Sequence, residues 1–226
     1  MNPRTRWRLQ RIWQRYDRLS RELGTIRSGD YLSRSFASFG DRSRIEAPRV
    51  SLHNPGSVAI GNDVYIRSYF ALEALAPAGT VILRIGDHVE LGHGVRIVAF
   101  NGIEIEQDVG IGHNVTIADT VHDKSVPSEA PGWQTPPKIG HPLRIERGAT
   151  IGNNNVITGG FVIGARSITA PNSVITRDVP AGVIVAGTPL RVIRRERPDG
   201  VWERLPEPMA LDDPALAQIS DAASEQ

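Results

Sequence analysis

The chain has 226 residues, of which 40% are hydrophobic and 23% charged, and its formal net charge is +1. These values are ordinary for a soluble globular protein. Cysteine is absent, which excludes a disulfide framework, a thiolate metal site and a cysteine nucleophile. No apolar run is long enough to cross a bilayer and no secretory signal is evident, so we expect a cytoplasmic protein.

The first segment, residues 1–44, is predicted to be a basic helix followed by a linker. Eight arginines and two acidic residues lie between Arg4 and Arg27, and two glycines follow as stop signals. Apolar residues recur at steps of three to five: Trp7, Ile12, Tyr16, Leu19, Leu23 and Ile26. One hypothesis packs this stripe on the main domain or a neighbouring subunit. The other places the helix on an anionic membrane or an acidic partner, whereas nothing else in the chain supports nucleic-acid binding.

From about Ile60 onward the sequence repeats with a period of six residues. The longest series has apolar or β-branched residues at Ile139, Ile145, Ile151, Ile157, Ile163, Thr169 and Ile175. Shorter series start at Ile60, Ile85 and Ile105. A glycine often follows this marked residue, and a small or apolar residue comes four positions after it, as at Val64.

A period of six fits neither a helix nor an antiparallel meander, but it suits a chain that turns a corner every six residues. Three such sides make a triangular coil, and the coils stack at about 4.8 Å. The marked residues are predicted to point inward. Glycine and asparagine beside them, including Asn62, Asn114, Asn153 and Asn154, are predicted to form corners of positive φ. The basic helix and the C-terminal segment are predicted to cap the two ends of the solenoid.

The six-residue step is interrupted between Ile97 and Ile105 and, by 22 residues, between Ile117 and Ile139. The longer interruption predicts a loop over residues 119–138, which we expect to be functional. The β-helical domain is predicted over 45–197. An acidic tail, 198–226, has little periodicity and is expected to be mobile or loosely docked.

Two stretches resemble the hexapeptide-repeat acyltransferases, above all the maltose, galactoside and polysaccharide O-acetyltransferases. They read VTIADTVHDKSVP and RIERGATIGNNNVITGGFVIGARSITAPNSVITRDVPAGVIVAGTPLRVIRR. The resemblance is detailed over about residues 85–195, and its 175–194 segment is highly specific. It implies a left-handed parallel β-helix, an all-β fold. It also implies a homotrimer with active sites between subunits, and acetyl-CoA as co-substrate with no metal.

His122 stands where this family carries its general base, at the start of the long loop. Chemistry agrees, because a neutral imidazole can take the proton of an attacking alcohol and return it to the leaving thiolate. Asp119 is predicted either to orient the imidazole or to serve as a turn residue. Since no covalent nucleophile is evident, direct transfer is favoured over a ping-pong mechanism.

The resemblance implies contacts to coenzyme A at Asn153, Pro171, Thr176, Arg177, Arg191 and Arg194. Arginine suits the phosphates because its planar fork matches phosphate oxygens. The sequence departs from the family at Thr150, where many relatives carry an aromatic residue, and at Pro171, where a small residue is usual. A sugar-like acceptor is expected near Asn101 and His93, which are candidates by location alone. Trp133 is predicted either to stack on a sugar ring or to anchor the loop.

Three alternatives to O-acetylation remain open at this point. An amino sugar would make the protein an N-acetyltransferase. Gamma-class carbonic anhydrases share the fold and bind zinc through three histidines, for which His53, His88 and His93 are candidates. A catalytically idle scaffold is the third alternative, because fold alone does not decide function.

Overall fold

The structure, a computed structural model, describes residues 1–77, 79–122, 131, 135 and 137–214. One long helix, α1 (Pro3–Gly24), precedes a stack of short strands. Single 3₁₀ turns lie at Leu32–Ser35 and Pro55–Ser57. The predicted sugar-stacking or anchoring residue, Trp133, lies outside the described residues.

The strands form three sheets, each a continuous hydrogen-bonded series. In spatial order, the first sheet contains β1 (Ile26–Arg27), β3 (Arg44–Ile45), β6 (Tyr65–Ile66), β9 (Glu90–Leu91), β12 (Gly110–Ile111), β15 (Thr150–Ile151), β18 (Ile168–Thr169), β20 (Val183–Ala186), β21 (Arg191–Glu196) and β22 (Trp202–Met209). The second contains β2 (Ser38–Phe39), β5 (Val58–Ile60), β8 (Leu83–Ile85), β11 (Ile103–Ile105), β14 (Leu143–Ile145) and β17 (Val162–Ile163). The third contains β4 (Ser51–His53), β7 (Ala71–Ala74), β10 (Arg96–Ala99), β13 (Thr116–Ala118), β16 (Val156–Thr158) and β19 (Val174–Ile175).

Each turn of the chain visits the second, first and third sheets in that order, so every coil has three sides. Strands of successive coils pair in parallel, with the marked residues of the repeat directly opposite one another. Ile66, Leu91, Ile111 and Ile151 form one such row. The predicted left-handed parallel β-helix is confirmed.

The marked residues form the core, as predicted, with one exception. Ile117, Ile157 and Ile163 are fully buried, and the residues four positions later, such as Val95, are buried as well. Ile139 is 84% exposed, so its assignment to the repeat was wrong. The chain does not rejoin the second sheet until Leu143, where β14 begins, and Ile139 still belongs to the long loop.

The predicted positive φ is confirmed at Asn114 and Asn154 but not at Asn62, Asn153 or the glycines beside the marked residues. Positive φ occurs three residues after the marked residue, for example at Asp63, Asn114 and Asn154. Asn62 and Asn153, one residue earlier, do not adopt a positive φ. Their side-chain oxygens instead accept hydrogen bonds from backbone N–H groups of the preceding coil. The glycines after the marked residues also avoid positive φ. They are required because a Cβ would collide with the next coil.

Gly152→Ala is expected to destabilise the fold by about 1–3 kcal/mol, the usual cost of overpacking. A Cβ at Gly152 would lie 2.6 Å from the backbone nitrogen of Pro171, which cannot move without displacing a whole coil. Gly110 provides a matched control, because a Cβ there meets nothing within 4 Å. Denaturant unfolding of the two variants at equal protein concentration should separate them. Equal midpoints would contradict this account of the corners.

The ends of the solenoid depart from the prediction in two respects. The first coil starts at β2, before the predicted boundary at residue 45, and α1 buries none of its residues, so it does not cap the core. Ile26, predicted on the helix stripe, is instead buried in β1 and paired with Ile45. At the other end, β21 and β22 extend the first sheet as antiparallel strands. Residues 202–209 of the acidic tail are therefore docked and ordered in the sheet.

Candidate active site

The long loop leaves the solenoid at the corner between the third and second sheets, here called the loop edge. Two short hydrogen bonds, one of them from a side chain, join the two ends of the loop. Lys138 N donates to Val121 O at 2.7 Å, and Thr120 Oγ1 donates to Lys138 O at 2.9 Å. His122 forms an isolated antiparallel bridge with Pro137. The position of His122 is therefore fixed by the segment that returns from the loop at Pro137 and Lys138.

One nitrogen of the His122 imidazole makes a hydrogen bond to the loop. Nδ1 lies 2.6 Å from the carbonyl oxygen of Thr135. Because a carbonyl can only accept, Nδ1 must carry the proton, and in the neutral ring Nε2 then carries the lone pair. The residue itself is exposed. This arrangement presents a basic nitrogen to an incoming molecule with its tautomer fixed by the loop.

Asp119 was predicted either to orient the imidazole or to serve as a turn residue, and its contacts agree with the second role. Its carboxylate accepts Phe100 N at 2.8 Å and Gly102 N at 2.5 Å, and no hydrogen bond joins it to His122 among the described residues. The side chain is buried. Burial raises the pKa of the Asp119 carboxyl, while the backbone N–H donors partly oppose the rise. Asp119 organises the turn that follows β10, and Thr135 is the group that orients the imidazole.

Asn101 was expected near the acceptor, but its carboxamide is committed to the base of the loop. Nδ2 donates to Asp119 O at 3.1 Å and to Lys138 O at 3.2 Å. Oδ1 accepts Gly140 N at 3.0 Å. The residue bonds to both ends of the loop that carries His122, and its contact with an acceptor stays a prediction.

A column of side chains runs along the corner between the first and third sheets, here called the histidine edge. Its members each lie two positions after a marked residue: Ser68, His93, His113, Asn153 and Pro171. His93 Nδ1 contacts Ser68 Oγ at 3.0 Å, and its ring stacks on that of His113 with centroids 5.4 Å apart. His113 Nδ1 in turn accepts His93 N at 2.9 Å, so its exposed Nε2 bears the proton in the neutral ring.

The predicted cofactor residues divide between two depressions. Thr176, Arg177 and Arg191 line a cleft of about 460 Å³ at the C-terminal end of the solenoid. Asp212 also lines it, with its carboxylate 3.9 Å from Arg177 Nη1. Arg194 lies on β21 but outside the cleft lining.

Asn153 and Pro171 line a separate groove of about 350 Å³ on the outer face of the first sheet. Its floor contains Gly110, Gly112 and Gly152, and Thr150 also faces it. Glycine floors allow a ligand to approach the backbone closely.

A single chain brings some of the predicted residues together and separates others. His122 lies on the loop edge, and Thr176 with Arg177 lie on the same edge two coils away, about 10 Å along the stack. The histidine edge, which carries His93 and Asn153, is separated from them by the width of the third sheet.

The three histidines of the alternative zinc site lie apart in the structure. His53 ends a strand of the third sheet, His93 lies on the histidine edge, and His88 lies on the remaining corner between Asp63 and Asp108. Within the described ranges no group of three histidine, cysteine or acidic residues could hold a metal ion. Within one chain, the fold therefore does not bring His53, His88 and His93 together.

Sequence reasoning missed Thr135 and His113. Thr135 acts through its backbone carbonyl, which has no residue-type signal. His113 could have been found, because it follows marked residue Ile111 at the same offset at which His93 follows Leu91.

Comparison with known proteins relates the chain to a group of transferases, although no family model matches it. The chain is 32% identical over 142 residues to serine acetyltransferase 2 of Arabidopsis thaliana, covering 63% of this chain and 36% of that protein. A 53-residue stretch is 51% identical to the 2,3,4,5-tetrahydropyridine-2,6-dicarboxylate N-acetyltransferase of Clostridium perfringens, covering 24% and 22% of the two chains. The chain thus spans about a third or less of the length of these relatives.

Solved structures share the fold. A variant of AntD, an N-acyltransferase from Bacillus cereus in complex with dTDP-4-amino-4,6-dideoxyglucose and coenzyme A, superposes with a TM-score of 0.65 at 20% identity, over 77% of this chain and 91% of AntD. A hexapeptide-repeat acetyltransferase of Vibrio cholerae O1 biovar eltor, complexed with acetyl coenzyme A, gives a TM-score of 0.50 at 27% identity, over 73% and 74% of the two chains.

Proposed function

We propose that the chain, which is similar to acetyltransferases of the hexapeptide-repeat group, transfers an acetyl group from acetyl-CoA to a hydroxyl of a sugar-like acceptor. The observation that carries the proposal is the exposed imidazole of His122, whose tautomer the Thr135 carbonyl fixes. The proposal rests on that geometry together with the sequence similarity to acetyltransferases.

In the proposed reaction His122 is the general base. Nε2 takes the proton of the acceptor hydroxyl while the hydroxyl oxygen bonds to the acyl carbon of the thioester. The carbon–sulfur bond then breaks, and the imidazolium returns the proton to the departing sulfur. The products are an ester and the free thiol of coenzyme A, and His122 ends in its starting state. No covalent acyl-enzyme is needed.

The cleft at the C-terminal end fits the phosphates of coenzyme A. Arg177 and Arg191 both line it, and guanidinium groups bind phosphate through charge-assisted hydrogen bonds. Arg191 Nη1 also donates to Leu190 O at 3.0 Å, which holds its side chain near the cleft. A molecule bound there would extend along the loop edge toward His122, two coils away.

Arg177→Gln and Arg191→Gln are each expected to weaken coenzyme A binding about tenfold or more, because a hydrogen bond to a charged group contributes about 1.5–3 kcal/mol. Isothermal titration calorimetry measures the change. Arg194→Gln is the matched comparison, since this arginine lies on the same strand as Arg191 but outside the cleft. An equal loss in all three variants would indicate a diffuse charge effect, and no loss in any would remove the cleft from the cofactor site.

A homotrimer would complete the site. The histidine edge of one copy would face the loop edge of the next, which brings Asn153 and the glycine-floored groove to His122 of its neighbour. Sedimentation equilibrium tests the assembly: three times the chain mass of 24.7 kDa supports the shared site. A monomer that retains full activity would exclude it.

An amine acceptor is the second candidate, and the 51% identity to an N-acetyltransferase over 53 residues favours it. The same base would serve, because an ammonium group must lose a proton before it attacks. Assays of matched sugars that differ only in a hydroxyl or an amino group decide between the two. Mass spectrometry of the product identifies the ester or the amide.

A further inference from the structure

Helix α1 has an uncovered apolar face. None of its residues is buried, and Trp13, Leu19 and Leu23 are 65%, 58% and 73% exposed. Residues three and four apart share a helix face. By that spacing six large apolar side chains form one row that runs most of the length of a helix about 33 Å long: Leu9, Ile12, Trp13, Tyr16, Leu19 and Leu23. Trp7, included in the predicted stripe, falls on the opposite face, where Arg11 stacks over its ring at 4.8 Å.

A row of arginines runs beside this apolar face. The five members recur at steps of three and four: Arg4, Arg8, Arg11, Arg15 and Arg18. The two acidic residues of the helix are already engaged, Asp17 with Arg21 at 3.0 Å and Glu22 with Arg27. In the part of the chain that the structure describes, none of the five makes an ion pair, so their charges are available to a partner.

We propose that α1 lies on an anionic lipid surface, with its apolar row in the headgroup boundary and its arginines on lipid phosphates. Interfacial helices combine strongly segregated apolar and basic faces, a modest share of apolar residues and aromatic side chains on the apolar side. Arg8 and Arg15 border the apolar row, at the depth where headgroup phosphates lie. Among the described residues, no helix combines the length and apolarity needed to cross a bilayer.

Charge argues against a second copy on this face, and position argues against the acidic tail of the same chain. Packing the apolar rows of two copies together would bring their bordering arginines into contact, and like charges at those positions oppose association. The acidic tail of the same chain leaves the solenoid from β22, at the opposite end of the first sheet from β1 and α1. An anionic bilayer can contact the apolar row with its acyl chains and the arginine row with its phosphates at the same time.

Cosedimentation of the full chain with vesicles tests this inference. Binding is expected to phosphatidylcholine vesicles containing about a third phosphatidylglycerol, and to weaken with salt as the surface potential is screened. Pure phosphatidylcholine vesicles should bind at least about tenfold more weakly, since each basic residue near an anionic surface contributes about 1 kcal/mol.

The two helix tryptophans provide matched variants. Trp13→Ala, on the apolar row, is expected to weaken vesicle binding about tenfold, whereas Trp7→Ala, on the opposite face, should change it less than about twofold. Both residues are more than half exposed, so neither variant should disturb the fold. Equal effects of the two variants, or no binding to anionic vesicles, would overturn the inference. A change in sedimentation mass for Trp13→Ala alone would instead identify the face as a subunit contact.

Discussion

Replacement of His122 by alanine is expected to lower kcat/KM for acetyl transfer by about 10²–10⁴-fold, the usual contribution of a positioned general base. The imidazole bonds through Nδ1 to Thr135 on the loop and lies outside the core and the cleft lining, so its removal should leave the coils and the cleft intact. The affinity for coenzyme A measured by calorimetry should therefore be unchanged. Steady-state assays of thiol release give the rate.

His122→Gln controls for the loss of volume and polarity, because glutamine fills the site without a basic nitrogen. It should be as impaired as the alanine variant. A glutamine variant with wild-type rates would show that His122 fills space only. An alanine variant with wild-type rates would remove the residue from the mechanism while leaving the transferase proposal standing.

Asp119→Ala is expected to destabilise the fold by about 2–4 kcal/mol, since each buried donor left without a partner costs about 1–3 kcal/mol. The backbone N–H groups of Phe100 and Gly102 would both lose their acceptor. The start of the loop would also lose its anchor, so activity should fall as well. Denaturant unfolding gives the change in stability.

Asp119→Asn is the matched variant. Its side chain keeps one oxygen, so one of the two donors retains an acceptor and the loss should be about half as large. If both variants unfold at the wild-type midpoint, the carboxylate does not organise the turn. If asparagine is as active as aspartate, the negative charge of Asp119 has no part in the reaction.

The repeat made the solenoid predictable, because one requirement recurs in every coil. A side chain that fills the core must appear every six residues, and a glycine must follow wherever the next coil lies against the backbone. Ile139 was misassigned because it continues the spacing by chance in a segment that has left the solenoid. Spacing alone cannot distinguish an inward side chain from a loop residue of the same type.

The site was less predictable, because its partners act through the backbone. His122 was predicted from its position, whereas the Thr135 carbonyl that orients its ring could be supplied by any residue. Asn101 was a candidate for the substrate by location alone, and Asp119 was predicted either to orient the imidazole or to serve as a turn residue. In the structure both side chains form hydrogen bonds with backbone groups at the base of the loop. Short polar side chains often bond to backbone groups in this way where the chain is irregular.

Thiol release from acetyl-CoA by the wild-type protein, measured across paired hydroxyl and amino sugars, tests the central claim most directly. Acyl transfer predicts release that depends on the acceptor, with the product heavier by one acetyl group. No release with any acceptor, together with no binding of coenzyme A by calorimetry, would contradict it.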